Sequence, residues 1–307
     1  MANIGYNKDL FILPFDHRGS FQEKLFGIKG RQPTAEETRE IASYKGVIYE
    51  GYKKALKMGI PVEVSGILVD EQFGEEIILD AKKNGYNVSI PAEKSGQDEF
   101  DFEYGANFDK HIEKFNPTFI KVLVRYNTEG DATGNRRQAE RLKKLADFAH
   151  ATNRKFMFEL LVPATAEQLK QCGGSSATFD TTMRPKLMVK AMEELVRSGV
   201  EADVWKLEGI ETADDSRRVA ECARSGGRKD VGVIVLGRGE NAEKVRLWLS
   251  VAAHTPGLIG FAVGRTVFWD SLKSLKEGKI TRDQASSQIA DNYAGFCKQW
   301  MDAQKKH

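Results

Sequence analysis

The sequence predicts a (β/α)8 TIM barrel, α/β in class, running from residue 1 to residue 307 as one unit. Three observations carry that prediction. Eight short apolar runs of strand length alternate with helical stretches along the chain. Their spacing is even, with no linker or shift of composition that divides the chain. Alternation of strand and helix implies parallel pairing, and eight strands favour a closed barrel, a fold that commonly needs ~250 residues or more.

The elements follow in order. Residues 10–16 (LFILPFD) read as a buried strand ending in the polar cluster Asp16-His17-Arg18-Gly19-Ser20. Thr34-Ala-Glu-Glu37 forms a capping box that opens a long helix ending near Met58. Residues 61–69 form the second strand, which ends in Asp70-Glu71, and residues 74–84 a helix. Residues 87–91 give the third strand, ending near Glu93-Lys94, with a helix over 108–115. The fourth strand spans 118–126 (TFIKVLVRY), the amphipathic helix after it 136–152, and the fifth strand 155–162 (KFMFELLV). Residues 166–198 hold one or two helices broken at Gly173-Gly174, with Pro185 near the first turn of the second. The sixth strand spans 204–209, the seventh 231–236 and the eighth 258–263, with helices over 212–225 and 241–253. Two helices, 269–277 and 281–305, close the chain. Tyr293, Phe296 and Trp300 stand at helical spacing on the last one, so that helix covers the barrel or another subunit, as in a homo-oligomer.

The bulk numbers exclude several classes. Lys+Arg number 46 against 44 for Asp+Glu, which gives no basic face for nucleic acid or a membrane surface. The N-terminal apolar run is too short for a signal peptide, and nothing later reaches membrane-spanning length. Cys172, Cys222 and Cys297 are odd in number and lack metal-ligand spacing, which fits a reduced, cytoplasmic protein. His17, His111, His150, His254 and His307 are scattered, without H-E-x-x-H or paired Cys/His spacing, so neither a metal nor a cofactor is expected. No G-x-S-x-G supports serine hydrolysis.

The sixth strand carries the sharpest signal. Asp203-Val204-Trp205-Lys206-Leu207-Glu208-Gly209 has the content of a buried strand yet holds a lysine and a glutamate. Alternation puts Val204, Lys206 and Glu208 on one face and Trp205 and Leu207 on the other. A buried ammonium is costly unless it is paired or neutralised. Lys206 is therefore either a Schiff-base nucleophile or a structural lysine paired with Glu208 or another carboxylate. Lys121 and Arg125 share a face of the fourth strand, and Glu159 lies on the fifth between the two lysines. Burial and a neighbouring cation favour a neutral amine, and Glu159 can move protons at the reacting centre. The alternative is an interior network in which Glu159 neutralises a lysine.

Barrel active sites lie at the C-terminal ends of the strands, and phosphate often binds after strands seven and eight. Gly237-Arg238-Gly239 and Gly264-Arg265 stand there, where glycine lets backbone approach an anion and arginine adds charge-assisted hydrogen bonds. Residues 237–242 also match G-x-G-x-x-A, but they follow the seventh strand and lack the acidic residue that ends the dinucleotide motif.

The runs LPFDHRGSFQEKLFG (13–27), IKVLVRY (120–126), FELLVPAT (158–165), VWKLEGIE (204–211), VLGRG (235–239) and GFAVGRTVFWD (260–270) resemble one family over roughly residues 8–300. It is the aldolase-like domain often fused behind the 5-dehydro-2-deoxygluconokinase of myo-inositol catabolism; the kinase half is not in this sequence. More distantly, the chain is similar to class I tagatose-1,6-bisphosphate aldolases. The resemblance implies that Lys206 is the Schiff-base lysine, Glu159 the acid/base, and Lys121 and Asp16 further catalytic residues. It also implies that Gly237 and Arg265 hold the phosphate of a ketose, with Arg238, Gly239 and Gly264 around it. Lys121, Arg18 or Arg125 is left to meet a substrate carboxylate. His17 and the G-R-G loop depart from the bisphosphate aldolases and bear on sugar specificity. The implied reaction is cleavage of 2-deoxy-5-keto-D-gluconate 6-phosphate. The rivals are an aldolase for another ketose phosphate or a sulfosugar, and a non-catalytic phosphosugar-binding module.

Overall fold

The computed structural model describes residues 4–305; residues 1–3 and 306–307, His307 among them, lie outside. Eight parallel strands close into a barrel in sequential order, β1 next to β2 and on to β8, which pairs with β1. They are β1 (Leu10–Pro14), β2 (Ser65–Leu68), β3 (Asn87–Pro91), β4 (Phe119–Arg125), β5 (Lys155–Leu161), β6 (Val204–Glu208), β7 (Gly232–Leu236) and β8 (Leu258–Ala262). Twelve α-helices accompany them among the described residues: α1 (Gly19–Phe26), α2 (Ala35–Lys57), α3 (Glu71–Lys83), α4 (Phe108–Phe115), α5 (Ala132–Ala151) and α6 (Ala166–Gln171), then α7 (Ser176–Thr182), α8 (Arg184–Arg197), α9 (Ala213–Arg224), α10 (Ala242–Ala253), α11 (Arg265–Lys276) and α12 (Arg282–Gln304). None is long and apolar enough to cross a membrane.

Strand parity builds two cores. Leu10, Ile12, Leu68, Phe119, Met157, Val204, Ile234 and Ile259 fill the lower barrel interior. The alternate residues, such as Phe11, Phe158, Trp205 and Val233, pack outward against the helices. Each fully buried side chain of this size stabilises the fold by roughly 1.5–3 kcal/mol. The interior positions above this plug are polar, so the apolar core ends where the cleft begins.

Helix α12 lies against the barrel it belongs to. Trp300 is fully buried against Phe11 and Phe261, at centroid distances of 6.3 and 6.4 Å. Gly51 of α2 allows α12 to approach closely, since a Cβ there would lie 2.5 Å from Ile289. The Tyr293 hydroxyl donates to the Phe11 carbonyl at 2.7 Å, tying α12 to β1. Tyr293→Phe removes that bond, together with the hydroxyl's interactions with Cys297 and the Gly66 backbone, and is expected to cost about 1 kcal/mol or somewhat more, measured by urea unfolding.

The structure differs from the sequence reading at several boundaries. Helix α1 falls in a stretch, between Asp16 and Thr34, to which the sequence assigned no element; it buries Phe21 and stops at Gly27, in the left-handed region at φ 71°. Helix α3 begins at Glu71 rather than residue 74, because the Asp70 side chain accepts from the Phe73 N–H; Gly74 is a kink inside it. Strand β2 is shorter than expected, since Val62–Val64 forms a 3-10 turn. Residues 166–198 hold three helices instead of one or two, with Pro185 in the first turn of the third.

Candidate active site

The C-terminal ends of the strands open into a cleft of about 1510 Å³. Its floor is set by side chains that point inward from β4, β5 and β6. Lys206, on β6, is buried, and its Nζ lies 2.8 Å from Glu159 Oε2 on β5. Lys121 Nζ reaches the same oxygen from β4, at 3.0 Å. It also donates to Asp16, just past β1, at 2.8 Å and to Glu93, past β3, at 2.6 Å. Asp16, Lys121, Glu159 and Lys206 thus come together as one buried cluster. The interior ion-pair network is present, and its carboxylate for Lys206 is Glu159 rather than Glu208.

The electrostatics separate the members. Burial opposes the Lys121 charge, but Asp16, Glu159 and Glu93 outweigh it and hold this ammonium well above the usual lysine range. Burial likewise pushes Glu159 up, yet Lys121 and Lys206 together hold it below the ordinary carboxylate range. Asp16 is depressed in the same way, burial being outweighed by Lys121, Lys206 and His17. Three carboxylates face two ammonium groups, and the excess falls on Glu93. Burial raises its carboxyl despite Lys121, and Oε2 of Glu93 has no hydrogen-bond partner. His17 stands beside this cluster with burial lowering its imidazole to about 4, so it is neutral at physiological pH.

The residues after β7 and β8 that the sequence offers as an anion site also line the cleft, in differing states. Arg238 turns onto Asp180 at 2.6 Å and Glu208 at 3.1 Å, so its charge is already met. Arg265 donates from Nη2 to the Arg238 carbonyl at 2.6 Å and has no carboxylate partner among the described residues. Gly239 sits at φ 81°, and a Cβ there would press on the Arg265 guanidinium at 2.7 Å. Gly264 precedes α11 as an N-cap without a capping side chain, and a Cβ would meet the Pro14 carbonyl at 2.3 Å. That closeness of β8 to β1 gives Gly264 a packing role. Gly237 also lines the wall, near Val263. Arg18 is buried on Glu103 at 2.9 Å, while Arg125 donates to the Gln97 carbonyl at 2.9 Å.

Two buried groups were not assigned from sequence. Glu93 was seen only as a strand end, although alternation from Ser89 and Pro91 turns it inward. Lys45, on the buried face of α2, pairs with Asp70 beneath the cleft rim, its ammonium over the Phe21 and Phe73 rings. A lysine spaced with Ile41, Ile48 and Tyr52 was the available signal. Asp203 lies at the opposite end of β6. There it accepts from the Gly5 and Phe156 N–H groups, which is a structural latch far from the cleft.

The fold has a solved likeness. Fructose-bisphosphate aldolase from Plasmodium falciparum, in a ternary crystal structure with TRAP and a small-molecule inhibitor, superposes with a TM-score of 0.64. The match covers 97% of this chain and 91% of that one at 14% identity, which speaks for the shared barrel. No curated protein matches the chain by sequence. A family model does match, over residues 3–304, and by it the chain belongs to DUF2090, described as an uncharacterized protein conserved in bacteria.

Proposed function

We propose that the chain is a class I aldolase that cleaves 2-deoxy-5-keto-D-gluconate 6-phosphate to malonate semialdehyde and dihydroxyacetone phosphate. One observation carries the reaction type: the Glu159 carboxylate bridges two buried lysines, 2.8 Å from Lys206 and 3.0 Å from Lys121. The substrate rests on the motif resemblance, and the aldolase-like barrel agrees with it.

The two lysines have different duties. Lys121, pinned by three carboxylates, stays an ammonium and is unsuited to attack a carbonyl. Lys206 has one carboxylate, and that neighbour can take its proton. The freed amine adds to the C5 ketone, and Glu159 returns the proton to the carbinolamine oxygen, which leaves as water. The resulting iminium is the electron sink. Ionised again, Glu159 removes the C3 hydroxyl proton, the C3–C4 bond breaks, and its electron pair forms the enamine while the aldehyde departs. Protonation at C4 and hydrolysis then release dihydroxyacetone phosphate and restore Lys206. Lys121 keeps Glu159 anionic between these transfers, and Asp16 keeps Lys121 charged. Arg265, with backbone N–H groups near Gly264 and Gly237, holds the phosphate.

The test is borohydride reduction in the presence of dihydroxyacetone phosphate, followed by peptide mass mapping. An adduct on Lys206 is expected. Labelling of a different lysine moves the site, and stabilisation by the ligand without adduct or turnover leaves a phosphosugar-binding module.

A further inference from the structure

The cleft holds more cations than the phosphate and the Schiff base require, and most are already spent. At the rim Arg18, Lys29, Arg31 and Arg238 each pair with a carboxylate. Lys94 is exposed on the loop after β3. Two guanidinium groups differ: Arg125 and Arg265 each donate to one backbone carbonyl and have no carboxylate partner among the described residues. An uncompensated charge facing a cleft is where an anion gains most.

Their positions are related by the barrel. In a closed ring of eight sequentially ordered strands, β4 stands opposite β8 and β6 lies midway between them on one side. Arg125 ends β4, Arg265 follows β8, and Lys206 is on β6. Arg125 is on the same face of β4 as Lys121, two residue pairs nearer the mouth, beyond Leu123. Its Nη1 is fixed by the Gln97 carbonyl, which leaves the Nε–Nη2 edge, a planar pair of donors. That edge matches the two oxygens and single charge of a carboxylate.

We infer that Arg125 is the specificity residue for a carboxylate at the substrate end remote from the phosphate, so that the cleft takes a doubly anionic open-chain acid spanning β8 to β4. The inference rests on the aldolase reading for the place of the ketone, and it chooses among the basic residues that reading left open. In a 5-keto 6-phosphohexonate the ketone carbon stands three bonds from phosphorus and four from the carboxyl carbon. Such a chain puts its reacting carbon near the middle of the span, where Lys206 is. Arg18, also a candidate from sequence, is committed to Glu103 and to the Glu93 carbonyl, and Lys121 to its three carboxylates.

Two non-cleavable probes of equal length test this by calorimetry: 6-phosphogluconate, and sorbitol 6-phosphate, which lacks the carboxylate. The wild-type protein is expected to prefer the acid by about 10- to 150-fold in Kd, the range of a charge-assisted hydrogen bond. Arg125→Ala should bring that ratio toward one. Arg125→Lys, which keeps the charge and loses the fork, should fall between them and covers the case in which the alanine variant does not fold. Equal binding of the two probes by wild type, no binding of either, or an undiminished preference in both variants overturns the inference. Borohydride trapping reads separately: a preserved preference without an adduct retains the carboxylate site and removes the aldolase reading. An adduct without preference does the reverse.

Discussion

Lys206→Ala is expected to abolish cleavage, with kcat/KM down by roughly 10⁵-fold or more, the scale seen when the nucleophile of a concerted catalytic group is removed. Borohydride adduct formation with dihydroxyacetone phosphate should vanish with it. The side chain makes one ion pair, to Glu159, and Glu159 keeps its second partner in Lys121. Each carboxylate of the cluster still touches Lys121, so although the excess of negative charge grows, none loses its last ion-pair partner and the fold should survive. Lys206→Arg is the more discriminating variant. It preserves a cation against Glu159 and fills the site, yet a guanidinium forms no iminium, so it should be as inactive as alanine. Thermal melts of both variants in the wild-type range, with turnover lost in both, would assign the loss to chemistry. Measurable cleavage by either would remove the Schiff base from the mechanism.

The barrel was legible because its strands obey one rule throughout: apolar residues of one parity fill the interior and those of the other meet the helices. That rule put Lys206 and Glu208 on one face and Trp205 and Leu207 on the other, as the two cores show. The convergence of Lys121, Glu159 and Lys206 followed from the same parity plus the position of each residue on its strand, while Asp16 was legible as a strand end and through the resemblance. Partner choice was legible only as a set of alternatives. The sequence left Lys206 to Glu208 or another carboxylate and offered Glu159 as the neutraliser of a lysine; the structure chooses Glu159, while Glu208 engages Arg238 and accepts from the Val162 N–H. Strand stagger in a closed sheet decides which neighbours meet, and one strand read alone does not contain it. Glu93 was missed because it lies two residues past the end of β3, although the strand's alternation carries on to it and turns it inward. The loops after β7 and β8 were read as an anion site from composition, which cannot tell that Arg238 is occupied by two carboxylates and Arg265 by none.

Lys121→Met is expected to lower stability by about 3–5 kcal/mol near neutral pH, the cost of leaving buried charge unpaired. The ammonium is buried within ion-pair distance of Asp16, Glu93 and Glu159. Only Glu159 keeps another partner, Lys206. The pH dependence distinguishes this from a packing defect. In the wild type Asp16 and Glu159 are held below their ordinary range, so the stability they contribute is present above about pH 4 and is lost as pH falls through their folded values. Lys121 is raised, so its own contribution is complete below about pH 10 and fades only at more alkaline pH. Without Lys121, Glu93, which burial already raises, rises further, and Asp16 loses the largest influence that opposes its burial. Stability of the variant should accordingly fall as pH rises through about 4, the opposite of the wild-type trend. Urea unfolding of both proteins between pH 4 and pH 8 should show a gap that widens with pH at an unchanged m-value. A gap that is constant across that range would mean that Lys121 acts as filler, and the account of Glu159 as a base kept anionic by its neighbour would lose its physical support.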